Sequence, residues 1–431
     1  MREQLVVEAA NITVYANGRR ILHDVGFTLR NGEKLLVTGR SGSGKTTLLR
    51  SLTGIASELY GLSVHGRVIV GGEKIRSAAD ASRYVCYVPQ EPWYSIVPPY
   101  PVLTVDLKSV GRGYSDAVEL ARLLNIEHKL YDSSTNLSGG EAQRIALLEA
   151  FLSNRKLVLI DEASSYLDRE SKVKLVEAVR SLSECGVAFV IVDHDIVLWR
   201  DSVDAVLYMD RGSSRIFEDV SETPIYEDLS TLEMASKDLE PMQVKGDVVL
   251  EASDIWFRYP DSDTYIVKGF GMNMRKGEIV WLRGRSGSGK TTILKILSRI
   301  LRPSRGLLKY TGGVRTAQLI PENPLHYITN PTVGEEMMGS TDLARELDLE
   351  KTWDTPITLL SSGEKRRLAL ASAYLRSPEL LLVDEPTIGL DPWNAVKVLN
   401  LLRNLSLKGC SLVIASHGDE VGLISHKALS I

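Results

Sequence analysis

One nine-residue string, GRSGSGKTT, stands twice in this 431-residue chain, at 39–47 and at 284–292. Each copy fits Gly, four residues, Gly, Lys, then Ser or Thr, the spacing of a phosphate-binding loop. Glycines let the backbone curl until successive N–H groups face phosphate oxygens, and the helix that follows adds its positive N-terminal end. The first copy offers Gly39, Ser41, Gly42, Ser43, Gly44, Lys45, Thr46 and Thr47; the second offers Gly284, Ser286, Gly287, Ser288, Gly289, Lys290, Thr291 and Thr292. Lys45 and Lys290 have the reach for β- and γ-phosphates, and the Thr46 and Thr291 hydroxyls suit Mg²⁺. ATP and Mg²⁺ are therefore the expected ligands.

Two acid pairs stand where such a loop needs them. The apolar runs LVLIDE and LLLVDE read as buried strands ending in Asp161-Glu162 and Asp384-Glu385. The aspartates suit Mg²⁺, and the glutamates suit the polarising of an attacking water. Gln90 ends another strand pattern, YVCYVPQ, where a carboxamide can reach metal and water. His194 and His417 follow later apolar runs and recur at equal spacing, which favours a γ-phosphate contact. A second anion-binding device is LSGGE, where Ser138 is a good N-cap and Gly139 and Gly140 expose backbone N–H groups at a helix start. Its partner LSSGE holds Ser361, Ser362 and Gly363. Tyr15 and Tyr259, 30 and 31 residues before their loop lysines, are candidates to stack on a base.

These residues sit in a repeat. The loop lysines are 245 apart, whereas Ser138/Ser361, Glu162/Glu385 and His194/His417 each keep an offset of 223. Two homologous α/β domains are expected at 1–212 and 248–431, joined by a Ser-, Glu- and Asp-rich segment at 213–247 that reads as a linker or, in part, as a folded C-terminal appendage of the first half. Each begins with strands that read as a small antiparallel sheet, the first with a turn at Asn17-Gly18. The run WYSIVPPYPVLTV after Gln90 has no clear period and is a candidate docking surface.

Composition bounds the class. The chain is 44% apolar and 25% charged with net charge −4, against a nucleic-acid-binding surface. Cys86, Cys185 and Cys410 form no metal or redox spacing. No apolar run approaches the ~20 residues of a membrane span, and the start does not read as a signal peptide. A cytoplasmic protein is expected, with any membrane role requiring a partner.

In their order, these motifs resemble the ATP-binding-cassette (ABC) ATPases, and the resemblance covers both halves. It implies tandem P-loop NTPase domains, each with a RecA-like core, a small antiparallel β-subdomain and a helical signature subdomain. It implies two ATP sites shared between the halves as an intramolecular pseudo-dimer. One would combine Tyr15, Lys45, Thr46, Gln90, Asp161, Glu162 and His194 with Ser361 and Gly363; the other Tyr259, Lys290, Thr291, Asp384, Glu385 and His417 with Ser138, Gly139 and Gly140. The second half departs from the pattern, since Glu322 stands where the glutamine belongs. A carboxylate ~4 Å from a phosphate oxygen is repelled by about 4 kcal/mol at an effective dielectric near 20, unless Mg²⁺ lies between or the loop withdraws. A second site that is slower, or more dependent on Mg²⁺, is expected.

The segment ENPLHYITNPTVGEEM at 322–337 is similar to energy-coupling-factor and cobalt/nickel-type importer ATPases. That likeness implies a transmembrane coupling subunit and a substrate-binding membrane subunit as partners, a vitamin or metal ion as cargo, and a peripheral place on the inner face of the cell membrane. A fused sugar-uptake ATPase, or a soluble cassette ATPase of translation or DNA repair, are the alternatives. The chain has neither the cysteine clusters nor the basic linker or large insertions those soluble classes predict.

Overall fold

The computed structural model describes residues 4–90, 100–102, 114–134, 137–226, 244, 246–260, 262–285, 287–312 and 314–431. The chain divides into two compact units, Met1–Ser230 and Thr231–Ile431.

In the first unit an antiparallel sheet runs in the order Arg19–Arg30, Leu5–Ala16, Ser63–Val70, Glu73–Lys74. Its first hairpin turns at Asn17-Gly18, both in the left-handed region (φ 49° and 76°), the type I′ geometry that matches strand twist. The larger sheet runs Ser213–Phe217, Ala205–Asp210, Lys34–Thr38, Ala188–Val192, Leu157–Asp161, Val85–Val88. Its last five strands pair in parallel. Leu157–Asp161 and Ala188–Val192 are buried along their whole length, as unbroken apolar strands covered on both faces must be.

The second unit repeats the plan with less. A three-stranded sheet runs Val267–Arg275, Val248–Phe257, Arg305–Tyr310. A five-stranded parallel sheet runs Ala317–Ile320, Leu380–Asp384, Ser411–Ser416, Ile279–Arg283, Lys427–Ser430. In each unit one apolar cluster joins the two sheets to the loop helix, and another packs the opposite sheet face against the longer helices.

Two sequence expectations are refined. Ser213–Phe217, the start of the joining segment, is folded onto the first half as a strand hydrogen-bonded to Ala205–Asp210. Arg211-Gly212, at φ 46° and 84°, makes the same two-residue turn as Asn17-Gly18 and folds the chain back. Residues 227–243 and 245 of that segment, and 93–99 and 103–105 of the aromatic run, lie outside the described residues. Secondly, Tyr15 and Tyr259 are not equivalent. Both first strands carry a bulge with a left-handed residue, Asn11 and Asp254, and register counted from these sets Tyr259 opposite Ala16. Tyr15 lies within strand Leu5–Ala16, whereas Tyr259 follows the end of strand Val248–Phe257. Tyr15 packs edge-on against His65 (5.7 Å), whereas the Tyr259 hydroxyl lies 3.4 Å from Thr292 Oγ1 beside the second loop.

Candidate functional site

Each phosphate-type loop bridges a buried strand and an eight-residue helix, Lys45–Leu52 or Lys290–Leu297. Gly39 is constrained twice: its φ is 145°, and a Cβ there would stand 2.1 Å from the Met209 carbonyl oxygen. Lys45 Nζ donates to the Gly39 and Arg40 carbonyls at 2.8 and 3.1 Å; Lys290 Nζ donates to Gly284 and Arg285 at 2.7 and 3.0 Å. The two ammonium groups are thus held alike, at the mouths of their own loops. Ser286 lies outside the described residues.

The hydroxyl and carboxylate expected to meet do so. Thr46 Oγ1 donates to Asp161 Oδ1 at 3.2 Å, and Thr291 Oγ1 to Asp384 Oδ2 at 2.7 Å. Burial, then the adjacent glutamate, pushes each aspartate up to about 6. A hydroxyl and a buried carboxylate are hard oxygen donors, and a divalent cation would offset the crowding that raises these acids, so the set fits Mg²⁺. Among the described residues no group of three or more His, Cys, Asp or Glu could hold a metal.

The glutamates share an unusual backbone. Glu162 and Glu385 are left-handed, φ 51° and 49°, and their N–H groups donate to Val192 and Ala415 carbonyls at 2.8 Å. Such a conformation costs on the order of 1–3 kcal/mol and persists where the surroundings over-determine it. Each carboxylate meets the histidine of its own half. Gln90 Nε2 donates to Glu162 Oε2, and His194 Nε2 stands 2.8 Å from Oε1. Glu385 Oε2 accepts from Ser416 Oγ at 3.0 Å, while Oε1 lies 3.0 Å from His417 Nδ1 and 4.0 Å from Lys290 Nζ. Burial opposes ionisation of Glu385, but His417, Lys290 and Ser416 overcome it and hold the carboxyl below its ordinary value. Glu322 is the opposite case: burial, then Asp384 and Glu385, push it up to about 7.

The LSGGE and LSSGE segments begin helices Gly139–Leu152 and Ser362–Arg376. Ser138 and Ser361 cap them, each paired with a glutamate three residues on in a capping box. Gly139, Gly140, Ser362 and Gly363 thereby lie in the first turn, at its positive end.

Several contributors escape the sequence reading. The Tyr87 hydroxyl donates to Asp161 Oδ2 at 2.9 Å; it stands three residues before Gln90, and no motif marked it. Ser416 precedes His417, where the first half has Asp193, so the repeat gave no match. Glu336, fully buried, accepts from the backbone N–H groups of Thr329 (3.1 Å) and Asn330 (2.9 Å), from Ser372 Oγ, and from Arg376 Nη2 at 3.1 Å. It ties the loop after Glu322 to the capped helix. Burial pushes its carboxyl up, yet the hydrogen bonds from Ser372, Asn330 and Thr329 prevail and hold it below the usual 4.5. A depressed acid stabilises the fold above its unfolded value and loses that contribution as pH falls through the folded one. Wild type should therefore melt above Glu336→Gln at pH 7, with the gap closing as pH falls from about 5 toward 3. Thermal melting across that range measures it, and a gap that does not depend on pH would refute the ionised, hydrogen-bonded Glu336.

The comparisons place this geometry. A family model described as "ABC transporter" matches residues 22–165 and 267–388. A Methanosarcina mazei protein named "Putative ABC transporter ATP-binding protein" is 28% identical over 442 residues, covering 93% of this chain and 87% of its own. A Bacillus subtilis protein named "Putative HMP/thiamine import ATP-binding protein YkoD" is 23% identical over 499 residues, covering 100% of this chain and 89% of its own. Among solved structures, one titled "RNase-L Inhibitor" aligns with TM-score 0.65 at 20% identity, over 97% of this chain and 87% of that one, a likeness of fold. No helix among the described residues is long and apolar enough to cross a membrane. With the family model matched twice over the two loop-bearing units, the chain belongs to the ABC transporter family, as a tandem ABC ATPase that hydrolyses ATP with Mg²⁺.

Proposed function

We propose that the chain is the motor subunit of a membrane importer of the energy-coupling-factor type, working with a transmembrane coupling subunit and a substrate-binding membrane subunit at the inner face of the cell membrane. A vitamin or metal ion is the cargo class. Two ATP sites are shared between the halves, each loop facing the other half's capped helix. In this reading Lys45, Thr46, Asp161, Gln90, Glu162 and His194 act with Ser361, Ser362 and Gly363, and Lys290, Thr291, Asp384, Glu385 and His417 act with Ser138, Gly139 and Gly140. Bound Mg²⁺ would neutralise phosphate charge, held by Thr46 and Asp161 or by Thr291 and Asp384. Glu162 and Glu385 would orient and deprotonate the attacking water.

The observation that carries the importer reading is the loop at 322–337. Its residues are similar to the importer-type loop apart from Glu322, and Glu336 fastens it to helix Ser362–Arg376 through Ser372 and Arg376. A push on that loop would reach the capped helix without passing through flexible chain. The name of the Bacillus subtilis relative, an import ATP-binding protein, supports the same class. The test is fractionation of native cells followed by purification of the tagged chain. Integral membrane subunits co-purifying in fixed ratio from the membrane fraction are the expected result. Sedimentation with ribosomes, and no stoichiometric membrane subunit, would overturn the reading.

A further inference from the structure

Arg366 lies inside the capped helix of the second half, 3% exposed, with its guanidinium fork spent on two backbone carbonyls. Nη1 donates to the Glu385 carbonyl, and Nη2 donates to the Glu322 carbonyl at 2.8 Å. One planar, permanently charged group thus holds the backbone of both residues whose side chains crowd Asp384. The repeat offset of 223 sets Gln143 opposite Arg366. Gln143 is fully buried, and neither its Nε2 nor its Oε1 finds a hydrogen-bond partner among the described residues. The first half therefore carries two neutral carboxamides, Gln90 and Gln143, where the second carries a carboxylate and a guanidinium, Glu322 and Arg366.

We infer that Arg366 is a positioning residue of the second ATP site, installed together with Glu322 as its counter-charge, so that the two act as one exchange for the neutral pair of the first half. A lone extra carboxylate beside Asp384 and Glu385 would repel a triphosphate, and a buried guanidinium on the same backbone returns the local charge balance to that of the first half. The electrostatics agree, since Arg366 and His417 oppose the burial and carboxylates that raise Glu322. The inference rests on the second ATP site described above and not on the importer reading.

Binding tests it on the full chain carrying Lys45→Ala, so that the second site dominates loading. The dissociation constant of a fluorescent ATP analogue is measured with and without Mg²⁺. Arg366→Gln should weaken binding about tenfold or more, most strongly without Mg²⁺, because Glu322 is then uncompensated. Adding Glu322→Gln to Arg366→Gln should bring affinity back to within about threefold of the parent. Arg366→Lys, which keeps the charge and loses the fork, should stay within the same range. A purely structural Arg366 predicts no such rescue, since both carbonyls lack their donor in the single and the double variant alike. An unrescued double variant, or an Arg366→Gln that binds like its parent, overturns the proposal. Should Arg366→Gln fail to fold, the Lys variant decides: parent-like affinity supports the pairing, and a loss of about tenfold refutes it. The parent's own binding reports the site assignment, and the ratios between variants report the pairing.

Discussion

Changing Lys45 and Lys290 together to alanine is expected to lower ATP affinity by roughly 10²–10⁴ and to bring phosphate release down with it. Each ammonium is nearly buried and already fixed by two carbonyls of its own loop, so it meets a phosphate with little ordering left to do. A charge-assisted hydrogen bond contributes about 1.5–3 kcal/mol, and two such contacts give the range stated. The loops themselves should survive, because their curl is set by glycine conformation and by close approaches such as Gly39 to the Met209 carbonyl, not by the lysine. Folding can be followed by thermal melting while binding is followed with labelled ATP. Turnover within tenfold of wild type in a folded double variant would remove these loops from the chemistry. Each single variant should lose one binding event per chain, which equilibrium stoichiometry resolves.

Much of this fold could be read in one dimension because the deciding forces are local. An unbroken apolar run such as LVLID is a buried parallel strand by its own pattern, and Asn17-Gly18 is a turn by the φ > 0 it tolerates. Arg211-Gly212 is the same turn, but arginine is no usual left-handed residue, so the strand after it reads only as part of the joining segment. What stayed hidden depends on partners far along the chain. The left-handed turn at Glu162 and Glu385 exists because the strand edge at Val192 and Ala415 captures an N–H. The equivalence of Tyr15 and Tyr259 failed over a single step of register, which a count from the lysines cannot detect across loops of unequal length. Arg366 belongs to none of the sequence motifs, and its two carbonyl partners, 19 and 44 residues away, distinguish it. Glu336 was visible as a letter of a loop motif, but not as the buried anchor of that loop.

The second large effect concerns the two glutamates. Glu162→Gln and Glu385→Gln should each leave ATP affinity within about threefold of wild type while cutting turnover at their own site by roughly 10²–10⁴, the range for loss of a positioned base. An amide keeps the side chain's size and its acceptor toward His194 or His417, so the strained backbone has no new reason to relax. The two losses are not expected to be equal. Glu385 is held ionised by His417, Lys290 and Ser416, and a carboxylate held below its ordinary value is a weaker base. Gln90 gives Glu162 a neutral donor, and Glu322 stands in its place beside Glu385. Both differences point to a second site that turns over more slowly, so the smaller share of wild-type phosphate release should disappear with Glu385→Gln. Steady-state phosphate release on the two single variants, with Mg²⁺ saturating, measures the shares. Equal losses would mean that the exchange of Gln90 for Glu322 is neutral in practice, as a full charge balance by Arg366 would allow. Lower free Mg²⁺ should then separate the sites again, because a site with three neighbouring carboxylates depends more on its cation than one with two.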